Sequence, residues 1–342
     1  MGKTAIVILN WNGKPLLEKF LPSVVKHSIM PGVEIVVADN ASIDGSVDFV
    51  KETYPQIKII ILDKNYGFAG GYNKALAQVD ADYFVLLNSD VEVTENWLQP
   101  LISLMDSDEK IAACQPKIRA YRHREYFEHA GASGGFIDKN YFPFCRGRIF
   151  NYVEKDEGQY DNRREVFWAT GAALMVRANV FKESGGLDED FFAHMEEIDL
   201  CWRMKNRGYK IFVEPASVVF HLGGATLNYM SPKKTMLNFR NNLYMIYKNI
   251  DQDKFFGALL IRLFYDTVAA FKFLFSLQVA HFFAVIKAHC QFWFTISRFS
   301  AKRKENLKHT TVTNHPEIYK HAIVKDFYLK GKKKFSDLIF KE

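Results

Sequence analysis

The chain has 342 residues, 48% of them hydrophobic, with a formal net charge of +6 and four cysteines. That is enough apolar material for one large core or two modest ones, and it argues against a disordered chain. Cys114, Cys145, Cys201 and Cys290 are scattered, with no Cys-x-x-Cys pair, which argues against a zinc cluster or a disulfide-stapled secreted scaffold and fits a reducing cytoplasm.

Charge is uneven along the sequence. Residues 301–342 hold eleven Lys or Arg against five Asp or Glu, so the whole positive balance lies in the tail. Residues 1–10 lack the basic start, long apolar stretch and cleavage site of a signal peptide.

In chain order, residues 4–10 (TAIVILN) read as a buried parallel strand, 14–28 as a helix and 33–38 as a second strand. Residues 44–53 read as a helix, 57–62 as a strand, 71–78 as a helix and 83–87 as a fourth strand. This β-α-β-α succession predicts a parallel sheet with helices on both faces, in which ligands sit beyond the carboxyl ends of the strands. Every strand exit is polar or glycine-rich: Asn10-Trp11-Asn12-Gly13, Asp39-Asn40-Ala41-Ser42, the run from Asn65 to Gly71, and Asn88-Ser89-Asp90. Each alone is an ordinary turn or cap; four together point to a ligand. Asp39 is placed to accept hydrogen bonds from a base or ribose. Gly67, Gly70 and Gly71 would let backbone approach a phosphate. Asp90 offers a hard oxygen to a divalent cation. Neither a Gly-x-Gly-x-x-Gly fingerprint nor a Walker A loop is present.

Residues 111–165 form an insert with several arginines. Trp168, Thr170 and Gly171 then precede a short strand and either shape an acceptor pocket or pack. The stretch FFAHMEEIDLCWR at 191–203 sets three carboxylates among aromatic residues. Two readings of it compete: acids favoured by the first turn of a helix, or a base desolvated by an apolar wall. Asp199 and Arg203 read as an i, i+4 surface pair. Residues 239–248 (FRNNLYMIYK) read as a linking helix. Residues 255–296 are dense in Phe and Leu, yet Arg262, Asp266, Lys272 and Lys287 interrupt every window long enough to cross a bilayer. This segment is either an amphipathic helix lying on a membrane and backed by the basic tail, or a buried helical hairpin with a solvated tail.

VILNWNG at 7–13, ADNAS at 38–42, NYGFAGGYN at 65–73, LLNSD at 86–90, TGAALMVR at 170–177 and GGLDEDFFAHMEEIDLCWR at 185–203 are, in that order, similar to family 2 glycosyltransferases. The nearest likeness is to the bacterial rhamnosyltransferase-like branch that builds surface polysaccharide. The resemblance covers roughly residues 1–235 and implies a GT-A fold: a mostly parallel Rossmann-like sheet with flanking helices. It further implies that Asn10, Asn12, Asp39, Asn40, Ser42, Asn65, Gly67, Gly71, Asn88 and Asp90 bind a nucleoside-diphosphate sugar. Asp90 and His221 would hold Mg²⁺ or Mn²⁺. Glu197, with Glu196 beside it, would be the catalytic base, and His194, Trp168, Thr170 and Gly171 would meet a glycan or lipid-linked acceptor. Two positions depart from the family pattern. Asn88 stands where the metal motif has its first acid, and Glu197 stands where the base is an aspartate.

The expected organisation is a GT-A domain over 1–235, a helical, aromatic-rich interfacial segment over 236–300, and a basic tail over 301–342. The expected setting is the inner face of the cell membrane, with no nucleic-acid partner. A noncatalytic nucleotide-sugar or carbohydrate-binding module is the competing class; it would keep the strand-end loops and have no use for Glu197.

Overall fold

The computed structural model describes residues 2–223 and 231–340. The first half runs β1 (Thr4–Asn10), α1 (Lys14–His27), β2 (Val33–Asp39), α2 (Ser46–Thr53), β3 (Lys58–Ile61), α3 (Gly67–Leu76), β4 (Tyr83–Asn88), β5 (Val91–Val93), α4 (Leu98–Ser107) and β6 (Ile111–Ala120). An irregular excursion follows with β7 (Gly135–Asp138), β8 (Pro143–Cys145), β9 (Arg148–Ile149), β10 (Tyr152–Val153) and β11 (Arg164–Glu165). The chain then continues as β12 (Ala173–Arg177), α5 (Ala178–Glu183), α6 (Glu196–Asn206), β13 (Lys210–His221), α7 (Pro232–Asn249), α8 (Gln252–Phe275), α9 (Val279–Lys308), β14 (Ile318–Tyr319) and α10 (Ile323–Tyr328).

The main sheet has the order β3-β2-β1-β4-β12-β6-β13-β11, with β5 also on β13. Strands β3, β2, β1 and β4 are parallel, as the apolar runs predict. Along β1, Ala5 and Val7 face one layer with Tyr72 and Leu76 of α3, while Ile6 and Ile8 face the other with Leu17 and Leu21 of α1. Burial on both faces explains why the strand reads as a continuous apolar run.

Strand β12 is the unexpected element. It runs antiparallel to both β4 and β6, pairing Ala173 with Leu87. Its amino end therefore lies at the same edge of the sheet as the carboxyl ends of β1, β2 and β4, and the Asn88 amide donates to the Ala172 carbonyl at 3.0 Å. That crossing brings Gly171 to the strand-end loops.

Helix α3 begins at Gly67, four residues before the expected start, and its glycines are packing residues. A Cβ on Gly71 would lie 2.9 Å from Leu9 and 3.0 Å from the Asn40 amide; one on Gly67, whose φ is +71°, would lie 3.2 Å from Phe192. The close approach they permit is helix to strand and helix to loop.

The C-terminal third departs from its expected boundaries. Helix α9 runs to Lys308, so the expected boundary at 301 falls inside it. Beyond it the tail folds back: β14 adds in parallel to β7, and the Phe335 and Phe340 rings pack, tilted, with centroids 5.0 and 5.1 Å from that of Phe136. The tail is thus part of the fold and not a solvated appendage. Helices α8 and α9 form a hairpin, and α9 packs along α7 through Tyr244 on Phe299 at 4.1 Å.

A buried ionic knot ties α7 to α6. Lys248 donates to Asp188 at 2.6 Å and Asp199 at 2.7 Å, Arg203 donates to Asp199 at 2.9 Å, and Asn249 donates to the other Asp199 oxygen at 2.8 Å. Asp199 and Arg203, expected on the surface, are buried inside this knot. Lys302 of α9 adds a second cation to Asp188. Burial would raise Asp188, but Lys248 and Lys302 hold its carboxyl well below the usual range. Replacing Lys248 with Met strands buried carboxylate charge, so the urea midpoint is expected to fall by an amount equivalent to about 3 kcal/mol.

Candidate active site

The strand-end loops are knitted together before any ligand arrives. Asn10 Nδ2 donates to Asp39 Oδ1 and to Ser42 Oγ, both at 3.1 Å, and the Ser42 amide donates to Asp39 Oδ2 at 2.8 Å. Asn12 gives its amide to Ser42 Oγ and accepts from the Ile43 amide. Asn40 Nδ2 donates to Asn65 Oδ1 and to the Gly67 carbonyl, both at 3.0 Å. The structure brings Asn10, Asn12, Asp39, Asn40, Ser42 and Asn65 together at one edge of the sheet. Asp39, however, is 1% exposed and its carboxylate already holds this network. Trp11, between Asn10 and Asn12, stands half exposed at the same rim.

Asp90, two residues past β4, lies beside His221 at the end of β13. His221 Nε2 is 3.1 Å from Asp90 Oδ1, and its Nδ1 is 3.4 Å from Glu128 Oε2. All three side chains are buried. Burial alone would push His221 down, but the Glu128 and Asp90 carboxylates hold it up at about 10. Glu128 follows β6 in an irregular segment, and nothing in its sequence context marks it.

Among the described residues no three His, Cys, Asp or Glu side chains converge as a complete cation site. Even so, the Asp90–His221 pair fits a divalent ion. Two donors at about 2.1 Å from an octahedral cation, at right angles, stand about 3.0 Å apart, close to the observed 3.1 Å between Oδ1 and Nε2. Carboxylate oxygen is a suitable donor, and so is the imidazole nitrogen once the cation displaces the proton that the two carboxylates hold there. The other positions would fall to substrate and water. Asn88, an amide at the end of β4, is half-buried beside them.

Glu196 and Glu197 open α6. Both keep their Oε2 atoms without a hydrogen-bond partner among the described residues. Burial lifts Glu197 to about 6, against the pull of the backbone N–H groups of Glu197, Ile198, Gly171 and Met195. Burial and then the Glu197 charge push Glu196 well above its ordinary range. Two neighbouring carboxyls with their titrations pushed apart form the arrangement in which one is basic while the other keeps its proton. A Cβ on Gly171 would touch Glu197 Cβ at 3.8 Å and the Phe68 ring at 3.2 Å. A short path of contacts thus joins Glu197, through Gly171 and Ala172, to Asn88 and the loop bearing Asp90.

The entry to α6 is forced. Phe192, His194 and Met195 have φ of 65°, 71° and 74°, a region costly for residues with a side chain. Asn241 of α7 supplies the restraint. It is fully buried, and its Nδ2 donates to the carbonyls of Phe191 at 2.9 Å, Ala193 at 2.8 Å and His194 at 2.8 Å. Arg240 donates to the Asp190 and Phe191 carbonyls and to Asn241 Oδ1. His194 is half-buried, and burial with nearby Lys234 lowers it to about 4, so its imidazole is neutral at ordinary pH. The positions of Asn241 and Glu128 become meaningful only through the fold.

Two acceptor-side expectations change. Trp168 is buried, its Nε1 donates to the Phe136 carbonyl at 3.0 Å, and its ring lies where a Cβ on Gly135 would stand. Thr170 gives its amide to Gln115 and packs its methyl on Gly131. Both are packing residues beneath the site; Gly171 is the member of the trio that reaches Glu197.

The profile described as Glycosyl transferase family 2 matches residues 5–184, just over half of the chain. The protein belongs to that family and is a glycosyltransferase of GT-A fold. It is similar to the N-acetylglucosaminyl-diphospho-decaprenol L-rhamnosyltransferase of Mycobacterium tuberculosis, 26% identical over 65% of this chain and 76% of that protein. It is also similar to the low-salt glycan biosynthesis hexosyltransferase Agl10 of Haloferax volcanii, 25% identical over 60% of this chain and 63% of that one. Among solved structures, GalNAc-T7 with UDP, GalNAc and Mn²⁺ superposes with a TM-score of 0.58 at 17% identity, over 75% of this chain and 50% of that one. The Pyrobaculum calidifontis mannosyltransferase PcManGT with GDP-Man and Mn²⁺ gives 0.52 at 14% identity, over 90% and 79%. The chain thus spans about half the length of GalNAc-T7, and both superpositions speak to the fold.

Asn241 acts on Glu197 only through the loop between them. In Asn241→Ala, kcat should fall by about 10- to 100-fold with donor KM little changed, since small misplacements of a reacting group are costly. Asn241→Asp sets a carboxylate against three carbonyl oxygens and should lose more. Steady-state kinetics of both variants, with thermal unfolding as a control, checks this.

Proposed function

We propose that this glycosyltransferase inverts its donor sugar, moving it from a nucleoside diphosphate to a glycan or lipid-linked acceptor in surface polysaccharide synthesis. The observation that carries the proposal is the Glu197 carboxyl, lifted to about 6 at the buried start of α6 and joined through Gly171 to the strand end bearing Asp90. The similarity to a rhamnosyltransferase named for a diphospho-decaprenol-linked sugar supports the lipid-linked acceptor.

In this reading Asn10, Asn12, Asp39, Asn40, Ser42 and Asn65 build the nucleotide-side rim, with Gly67 and Gly71 packing α3 close behind it. Asp90 and His221, with Asn88 beside them, lie at the diphosphate. Glu197 takes the proton of the acceptor hydroxyl as that oxygen bonds to the anomeric carbon. The bond from that carbon to the diphosphate oxygen breaks, and its electron pair leaves with the nucleoside diphosphate on the opposite face. Glu196, holding its proton, keeps a second negative charge away from the base. Gly171 and neutral His194 border the acceptor. Asp90 and His221 would hold Mg²⁺ or Mn²⁺, whose contribution when bound is to offset charge on the leaving diphosphate.

Peripheral attachment to the inner face of the cell membrane completes the reading: residues 1–235 carry the reacting groups, α7 braces them, and the α8–α9 hairpin is the attaching part. Among the described residues no helix is long and apolar enough to cross a membrane.

A base must be ionised to act. With Glu197 at about 6, kcat/KM is expected to rise with pH through that value and to fall about tenfold per unit below it. In Glu197→Gln, transfer should drop by about 10²- to 10⁴-fold with nucleotide affinity retained; an unchanged rate removes Glu197 from the role. For the cation, chelator should suppress transfer, and His221→Ala should raise the Mn²⁺ concentration for half-activity by about 10- to 100-fold. Activity indifferent to chelator and to that substitution contradicts the Asp90–His221 assignment.

A further inference from the structure

The α8–α9 hairpin turns an unusual surface to solvent. Between Phe256 and Ser300 the chain contains one carboxylate, Asp266, and that is buried between Arg262 at 2.7 Å and His289 at 3.0 Å. Most of the exposed side chains are aromatic or aliphatic, with Phe275, Leu277 and Phe294 at 82%, 88% and 86% exposure, and the charges among them, Lys272, Lys287 and Arg298, are all cationic. An apolar face of this extent needs a partner. Cations with no exposed acid disfavour pairing with a second copy, which would oppose like charges.

Where α8 meets the folded-back tail, a groove of about 470 Å³ opens beside this face. It is lined by Leu260, Ile261, Phe264 and Tyr265 of α8 together with Lys139 and Lys325. Lys139 comes from the β7–β8 turn and Lys325 from α10. Both are exposed, and neither has an ion-pair partner among the described residues. Two cations from separate elements beside an apolar wall match an anionic phosphate ester joined to hydrocarbon. Tyr328 and Leu329, after α10, extend the apolar rim.

We infer that this groove seats the headgroup phosphate of an anionic phospholipid, Lys139 and Lys325 holding the phosphate while the acyl chains lie along Leu260, Ile261 and Phe264. The α8–α9 hairpin then lies in the plane of the bilayer surface, its apolar side chains among the lipid tails and Lys272, Lys287 and Arg298 at headgroup level. The inference rests on the proposed membrane attachment and adds to it a particular site and lipid class. It gives Lys139 and Lys325 a task that no internal contact supplies.

Full-length protein is assayed by co-flotation with vesicles of phosphatidylcholine alone or with about 30 mol% phosphatidylglycerol, in about 0.1 M salt. Wild type should bind the acidic vesicles and leave the neutral ones, and inorganic phosphate at vesicle-matched concentration should not displace it. Lys139→Gln with Lys325→Gln should weaken binding about thirtyfold, while the equal charge loss of Lys26→Gln with Lys51→Gln, on α1 and α2, should change it little. Equal weakening by both pairs, or displacement by free phosphate, overturns the headgroup seat. If Phe271→Ser with Phe275→Ser abolishes binding while the Lys139 and Lys325 pair leaves it intact, the seat is overturned and membrane attachment stands. Failure of wild type to bind any vesicle overturns both, as does concentration-dependent dimerisation lost in the Phe271 and Phe275 variant.

Discussion

The structure depends on a costly stretch of backbone held in place from outside. Residues 191–195 pass through three left-handed conformations without a glycine, and the carbonyls this exposes are gathered by the single amide of Asn241. Such strain persists only where the surroundings over-determine it. Here it turns the chain abruptly into α6, so that Glu196 is buried and Glu197 half-buried at the helix start instead of both standing in solvent. The helix end would favour ionised acids, but desolvation is the larger effect and raises both carboxyls.

This makes the C-terminal helices part of what holds residues 188–199 in place. Helix α7 carries Asn241, Arg240 and Lys248, all directed at residues 188–199, and α9 braces α7 through Phe299 while sending Lys302 to Asp188 and Asp190. A division into a catalytic domain and an attached appendage misses that traffic. The loop before α6 is braced by the same helical unit that carries the exposed apolar face. The opposite wall of the site is built differently: Asn10, Asp39, Ser42, Asn40 and Asn65 join three strand ends by side-chain hydrogen bonds, and the parallel sheet fixes their spacing.

Much of this was legible in the sequence, for identifiable reasons. The parallel half announced itself because strands buried on both faces must be continuously apolar. The acidic stretch at 196–199 stood out because carboxylates among aromatic residues are costly without a purpose. What is not legible depends on long-range placement. The glycines at 67–71 read as a phosphate loop, since local sequence cannot tell space left for a ligand from space filled by Leu9 and Phe192. The antiparallel direction of β12 has no local signature, yet it delivers Gly171 to Glu197. Glu128 lies in an irregular segment and Asn241 inside an ordinary-looking helix, so only their partners reveal them. The tail reads as lipid-facing or solvated because its lysines dominate its composition, while Phe335 and Phe340 pack it onto Phe136.

The central claim is that Glu197 and the Asp90–His221 pair address one donor from opposite sides of its anomeric carbon. The most direct measurement is the structure of the protein bound to an intact nucleoside-diphosphate sugar. The account predicts the diphosphate at Asp90 and His221, with Glu197 on the far face of the sugar and room between them for an acceptor hydroxyl. A diphosphate on the Glu197 side, or a sugar that never reaches the start of α6, would contradict it.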